Sequence, residues 1–191
     1  MHFEAACEAL LAGVGRVDPW RAAMQADLDD GRSAWLWSLR HDAQAAVSLS
    51  ASLAAVLLGE APIERRDLLR ATQALVHDGL PAPLRARWYH EAAFSFADVQ
   101  PAQARTWVAA AIAIFRVQAD LHGLYRALGV SVYCAQGLGD DAVHPDLAEM
   151  LSIERADWPD HVRAQGAHAA ACWYSARGDY AAALPWRRRA L

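Results

Sequence analysis

Proline and glycine are scarce, 8 and 11 of 191 residues, and lysine is absent, so Arg supplies all 18 basic side chains. So few breakers place the chain among ordered globular proteins rather than disordered tails. Cysteine is sparse too: Cys7, Cys134 and Cys172 are odd in number and widely spaced, each in an Ala-rich apolar run. That pattern predicts buried thiols in a reducing compartment, not a disulfide framework or a zinc site. No basic-then-apolar leader opens the sequence, and no run of about 18 residues is wholly apolar, so neither export nor a membrane span is expected and a cytoplasmic location is. The 22 Asp and Glu exceed the Arg, leaving a net charge of -4. A duplex-gripping module would be basic, so direct nucleic-acid binding by this chain is not expected.

What is present favours helices. Apolar residues make up 55 % and charged residues 21 % of the chain, and alanine is abundant. Alanine has the best helix propensity and lets helix axes approach, whereas a sheet would call for more Val, Ile and Thr. The fold class expected is all-α.

The reading along the chain follows breakers and caps. Residues 2–12 predict a short helix ended at Gly13 and Gly15. Asp18 before Pro19 predicts a capped helix running to about Arg40, with Gly31 as a bend or break. From Asp42, Ala46, Val47, Leu49, Leu53, Ala54 and Leu57 recur at spacings of mainly three and four, a helix with a broad buried stripe that Gly59 ends. Pro62 opens another, with Ile63, Leu68, Leu69, Thr72 and Leu75 as its apolar face, closed by residues 79–83. Helices of about 15 residues with short connections fold back as antiparallel neighbours.

The second half repeats itself. Segments 84–98, 122–136 and 162–177 superpose at offsets of 37 and 41 residues. Phe96, Tyr133 and Tyr174 then coincide, as do Ala92, Gly129 and Ala170, and Ala93, Val130 and Ala171. Small residues where helices cross, followed by an aromatic, are a packing recipe. A turn and a second helix follow each segment: Gln100 before Pro101, then 101–118; residues 137–140, then about 145–155; Gly178-Asp179, then 180–190. Ala104 or Arg105, Ala142 and Ala183 take equivalent early positions.

The run 167–184, with an aromatic near the end of one helix, Gly178-Asp179-Tyr180 in the turn and alanines early in the next helix, resembles a tetratricopeptide (TPR) unit. The resemblance implies antiparallel helix pairs in a right-handed superhelix, an α-α solenoid, with TPR-like repeats over 84–191 and a helical lead-in over 1–83. A second resemblance rests on residues 20–37, with Trp20, Met24, Asp27-Leu28-Asp29-Asp30, Arg32, Ala34 and Trp37, and on residues 83–88 and 119–129. These are similar to the helical arm of bacterial signal-transduction ATPase regulators of the LuxR or AfsR kind. It implies one continuous domain, a fragment of a longer protein whose NTPase and DNA-binding modules lie elsewhere. Leu191 stops where a TPR helix would have room to continue, which fits that expectation.

Catalytic patterns are missing. No Gly-rich loop ends in Lys-Ser or Lys-Thr, so nucleotide hydrolysis is not assigned. His90-Glu91 has no further His for a zinc helix and reads as the wet side of a helix. His168 and Cys172 have the reach of a metal pair, yet two ligands do not close a site. Ser95, Ser131 and Ser175 read as small neighbours of aromatics, without a strained elbow or an activating base. The three C-terminal arginines, Arg187 to Arg189, read as a solvated last turn. No cofactor, metal or enzymatic activity is expected.

Eight tryptophans are the least ordinary feature. Trp35 and Trp37 point to different sides of one helix, so both cannot be deeply buried; the others read chiefly as core or inter-helix wedges. Arg87, Trp88, Arg105, Trp107 and Arg126 are the candidate recognition residues. The function expected is a non-catalytic recognition or regulatory arm that holds a protein, a peptide or a small effector in a concave groove. A stand-alone adaptor or self-associating module is the alternative, and an all-helical enzyme the remote one.

Overall fold

The computed structural model describes residues 27–58, 60–139 and 144–190. Among these the protein is all-α, with nine α-helices and no strand. They are α1 Leu28–His41, α2 Ala43–Val56, α3 Pro62–Thr72, α4 Ala82–Phe96, α5 Pro101–Gln118, α6 Leu121–Leu138, α7 His144–Ile153, α8 Asp160–Ala176 and α9 Tyr180–Arg189. A 3-10 turn, Gln73–Leu75, extends α3. The expected helix over 2–12, the Asp18-Pro19 start, the Gly59 stop, Cys7 and Ala142 lie outside the described residues.

Local chemistry sets the ends. Asp42, Asp120 and Asp179 accept the backbone N–H of Ala45, Gly123 and Ala182 and cap α2, α6 and α9. Pro62 and Pro101 stand in the first turns of α3 and α5, where a missing N–H costs nothing. Gly139 and Gly178 close α6 and α8 at φ of +64° and +75°. Ala119 does the same after α5 at φ 54°, a left-handed residue that carries a Cβ.

Two expectations along α1 to α3 are corrected. Gly31 does not break α1; the helix runs through it without interruption and buries it. Ile63 is not part of an apolar face, because α3 turns it outward to 73 % exposure. Leu68, Leu69 and Thr72 carry that face instead, with Arg65 buried beside them.

The chain divides into two compact units, Met1–Ser95 and Phe96–Leu191. In the first, α2 packs on both α1 and α3 and is buried almost all round, from Ala46 to Val56. A polar chain threads this core: Trp88 Nε1 donates to Thr72 Oγ1 at 3.0 Å, the Thr72 hydroxyl lies 2.9 Å from Ser50 Oγ, and Ser50 donates to Val47 O. It ties α4, α3 and α2 together without an orphaned group along it.

His90 and Glu91, expected on the wet side of α4, are buried. Arg65 of α3 makes this possible: its Nη2 donates to Glu91 Oε2 at 2.8 Å, and its guanidinium lies 5.0 Å from the Phe94 ring centre. His90 Nδ1 reaches the other Glu91 oxygen at 3.0 Å. A buried carboxylate needs such a partner, which lies 26 residues away in sequence.

In the second unit α6 is central, packing on α5, α7 and α8, and α8 packs on α9. The superposed small residues are buried: Ala92 and Ala93 in the first unit, Gly129, Val130, Ala170 and Ala171 in the second. Tyr125 is wholly buried; its hydroxyl donates to Glu154 at 2.7 Å, and Glu154 also pairs with Arg163 and Arg189. One carboxylate thus joins α6, α8 and α9 to the segment after α7.

Candidate recognition groove

An apolar groove of about 650 Å³ opens between α1 and α3. Its lining residue Leu68 belongs to a core cluster with Leu28, Leu53, Val56 and Leu57, on which Trp35 and Ala61 pack. Arg32, Trp35 and Leu36 come from one face of α1 because they are three and four residues apart. Ala61 and Pro62 enter where the chain turns into α3, and Ile63, Glu64, Asp67 and Leu68 follow along that helix. The lips are hydrophobic and exposed, Leu36 at 58 % and Ile63 at 73 %. Just beyond, Trp37 is 60 % exposed and stacks on His41 with ring centres 4.4 Å apart.

The charge around the groove is acidic. Among the described lining residues Glu60, Glu64 and Asp67 outnumber Arg32, and Asp67 is paired with Arg70 at 3.1 Å. Arg32 is committed: Nε and Nη2 grip both Glu64 oxygens at 2.6 and 2.8 Å, and Nη1 reaches Asp29 at 2.9 Å. These hydrogen bonds, Glu64 first and Asp29 second, hold the guanidinium pKa above its ordinary value. Trp35 Nε1 is buried with no hydrogen-bond partner among the described residues. An orphaned donor of this kind costs about 1–3 kcal/mol.

The five residues singled out in the sequence are placed differently. In the first unit, Arg87 donates to Ser48 Oγ at 2.9 Å. Trp88 is 1 % exposed and belongs to the polar chain through Thr72. In the second unit, Trp107 is 8 % exposed and meets Phe96 edge-on, ring centres 5.5 Å apart. Both indoles are core wedges. Arg105 is exposed on α5, close enough to Cys134 to act on its thiol, and Arg126 is half-buried on α6. None of the five lines the α1/α3 groove.

Ser95, Ser131, Ser175 and Cys172, singled out in the sequence, are engaged in structure. Ser95 and Ser175 donate to carbonyls four residues back, and Ser131 donates to Asp146 at 2.7 Å. Cys172 Sγ lies 3.7 Å from His168 Nε2, and burial raises the thiol pKa against the opposing pull of Arg187 and the Tyr133 hydroxyl. A thiol held protonated is a poor nucleophile. Among the described residues no group of three or more His, Cys, Asp or Glu is placed to hold a metal ion, and no helix is long and apolar enough to cross a membrane.

Sequence reasoning missed the groove because its walls meet only through tertiary packing. Arg32 and Glu64 are 32 residues apart, and neither helix carries a motif. The resemblance did single out Arg32 and Trp37, without assigning either a role.

No family model matches the chain. No curated protein and no solved structure matches it either.

Proposed function

We propose that this chain is a non-catalytic recognition module, a helical arm that binds a partner in the α1/α3 groove. The observation that carries this reading is an open, apolar groove whose large lip residues lie in water, the kind of exposed hydrophobic surface that marks interaction sites. The engagement of Ser95, Ser131 and Ser175 and the burial that raises the thiol pKa of Cys134 and Cys172 also favour recognition over chemistry.

Trp35 lies in the groove wall and reports occupancy directly. Titration of the full chain with peptide and metabolite pools, followed by tryptophan fluorescence, is expected to give a saturable change that Ile63→Asp abolishes. A change that survives Ile63→Asp would sink the groove as the site.

The finer architectural reading is a TPR-like solenoid that forms the arm of a bacterial transcriptional regulator with an attached NTPase. What supports it is the repeat at 37 and 41 residues, the packing of α6 on both α5 and α8, and the Gly178-Asp179 turn that ends α8 and caps α9. Reading the flanking gene tests it: neither a nucleotide-binding loop nor a DNA-binding helix pair nearby would refute the regulator assignment.

A further inference from the structure

We infer that the second unit carries a binding site for a phosphate-type oxyanion, built where Arg187 of α9 and His168 of α8 flank the half-buried Cys172 and Tyr133. The three C-terminal arginines, read from the sequence as one solvated turn, do not behave alike. Arg189 pairs with Glu154, whereas Arg187 and Arg188 pair with no carboxylate of the described residues. Arg187 turns toward α8 instead, and its Nη2 donates to Ser175 Oγ at 3.0 Å. Ser175 passes its own proton to Ala171 O at 2.7 Å. The hydroxyl therefore holds the guanidinium without neutralising it and leaves the rest of the donor fork for a ligand.

Helix geometry gathers the other groups. His168, Cys172 and Ser175 stand four and three residues apart, so they share one face of α8. Cys172 Sγ lies 3.7 Å from His168 Nε2. Arg187 and a hydrogen bond from Tyr133 of α6 act on the same sulfur, and the Tyr133 and His168 ring centres are 6.0 Å apart. The thiol is the floor, and a guanidinium, an imidazole and a phenol stand round it.

Charge selects the ligand. Helices α6, α8 and α9 together hold five arginines, Arg126, Arg163, Arg187, Arg188 and Arg189, against one acid, Asp160. Asp160 is itself paired, with Arg163 at 3.3 Å. These helices are thus a basic exception in a chain of net charge -4. A cation would meet like charge here, and an apolar ligand would leave the donors unpaired. An anion is matched. Donors that arrive from three helices suit oxygens pointing in several directions, as on a tetrahedral phosphate, better than the planar pair of a carboxylate.

The test titrates inorganic phosphate, glycerol 3-phosphate and acetate, at matched ionic strength, into the full chain labelled with nitrogen-15 and carbon-13. Resonances of the Arg187 guanidinium and the His168 ring report occupancy. Phosphate is expected to saturate about 10-fold more tightly than acetate, because charge-assisted bonds to a dianion are the strong ones. Arg187→Gln should weaken phosphate binding about 10-fold and His168→Gln about threefold. Arg188→Gln removes the same charge from the same turn and should change it by less than about twofold, as expected of a screened surface charge. These three side chains are exposed, and circular dichroism checks that the fold persists.

Equal binding of acetate would overturn the phosphate assignment. Equal losses in Arg187→Gln and Arg188→Gln would reduce the effect to general surface charge and overturn the site, as would shifts that never saturate. Glycerol 3-phosphate bound as tightly as phosphate marks an ester as the ligand, and binding of inorganic phosphate alone marks the free ion; both results support the site. The α1/α3 groove is tested separately by Ile63→Asp, so either reading can fail without the other.

Discussion

A methyl group added at Gly166 would overlap the Tyr125 hydroxyl, and Tyr125 cannot retreat, because it is wholly buried and its oxygen is bonded to Glu154. Gly166→Ala is therefore expected to destabilise the protein by about 1–3 kcal/mol, the cost of overpacking a core. Gly129, at the repeated small position, is the opposite case. A Cβ there would meet Met150 Sδ at 3.6 Å and the Ala169 Cβ at 3.7 Å, ordinary van der Waals separations. Since glycine in a helix interior costs roughly 0.5–1 kcal/mol relative to alanine, Gly129→Ala is expected to stabilise by a similar amount. Urea midpoints of the two variants check the pair; shifts of the same sign would refute the packing argument. Thr72→Val removes the buried hydroxyl that accepts from Trp88 Nε1 and donates to Ser50 Oγ, and a loss of about 1–3 kcal/mol follows from breaking that buried polar chain. The repeated alanines and Gly129 were legible in the sequence as small, buried positions, but Gly166 was not, because its constraint comes from a tyrosine 41 residues away.

Helix ends were the most legible elements, because caps are local. Pro62 and Pro101 begin helices where the sequence placed them, and Asp42 and Asp179 cap α2 and α9. Asp27 differs: it stands at the start of α1 but makes no side-chain cap bond. Alanine substitution of Asp42, Asp120 or Asp179 should cost about 1 kcal/mol each. Asp27→Ala should cost only a few tenths, from weakened interaction with the helix dipole. Denaturant midpoints of the four variants test this ranking, and an Asp27→Ala loss as large as the others would contradict the geometry. Faces were harder to read than ends. Ile63 satisfied the apolar spacing yet faces water, and His90-Glu91 looked wet yet is buried, because Arg65 supplies a partner that no local pattern announces. The groove falls in the same class: Leu36 and Ile63 become a pair of lips only once α1 and α3 pack, and spacing along either helix is silent about that.

At the scale of the molecule, burial shifts the thiols and two of the phenols of the second unit in one direction. Cys134, Cys172, Tyr125 and Tyr133 all belong to residues 96–191, and desolvation raises the pKa of each above its ordinary value. For Cys134 the rise is from 9.0 to about 12, with Arg105 pulling weakly the other way. Each neutral group is easier to ionise once unfolded, so above the ordinary thiol value unfolding releases protons and stability falls with rising pH. Their contribution is whole below pH 9.0 and is lost toward about 12, the window fixed by Cys134. Cys134→Ala removes one such group. It also leaves a small void, which lowers stability at every pH. The test is therefore the slope and not the height: urea midpoints plotted against pH should fall less steeply for Cys134→Ala than for the parent chain between pH 9 and 12. Parallel curves would mean that the thiol ionises equally in the folded and unfolded states, which is incompatible with its burial between α6 and its neighbours.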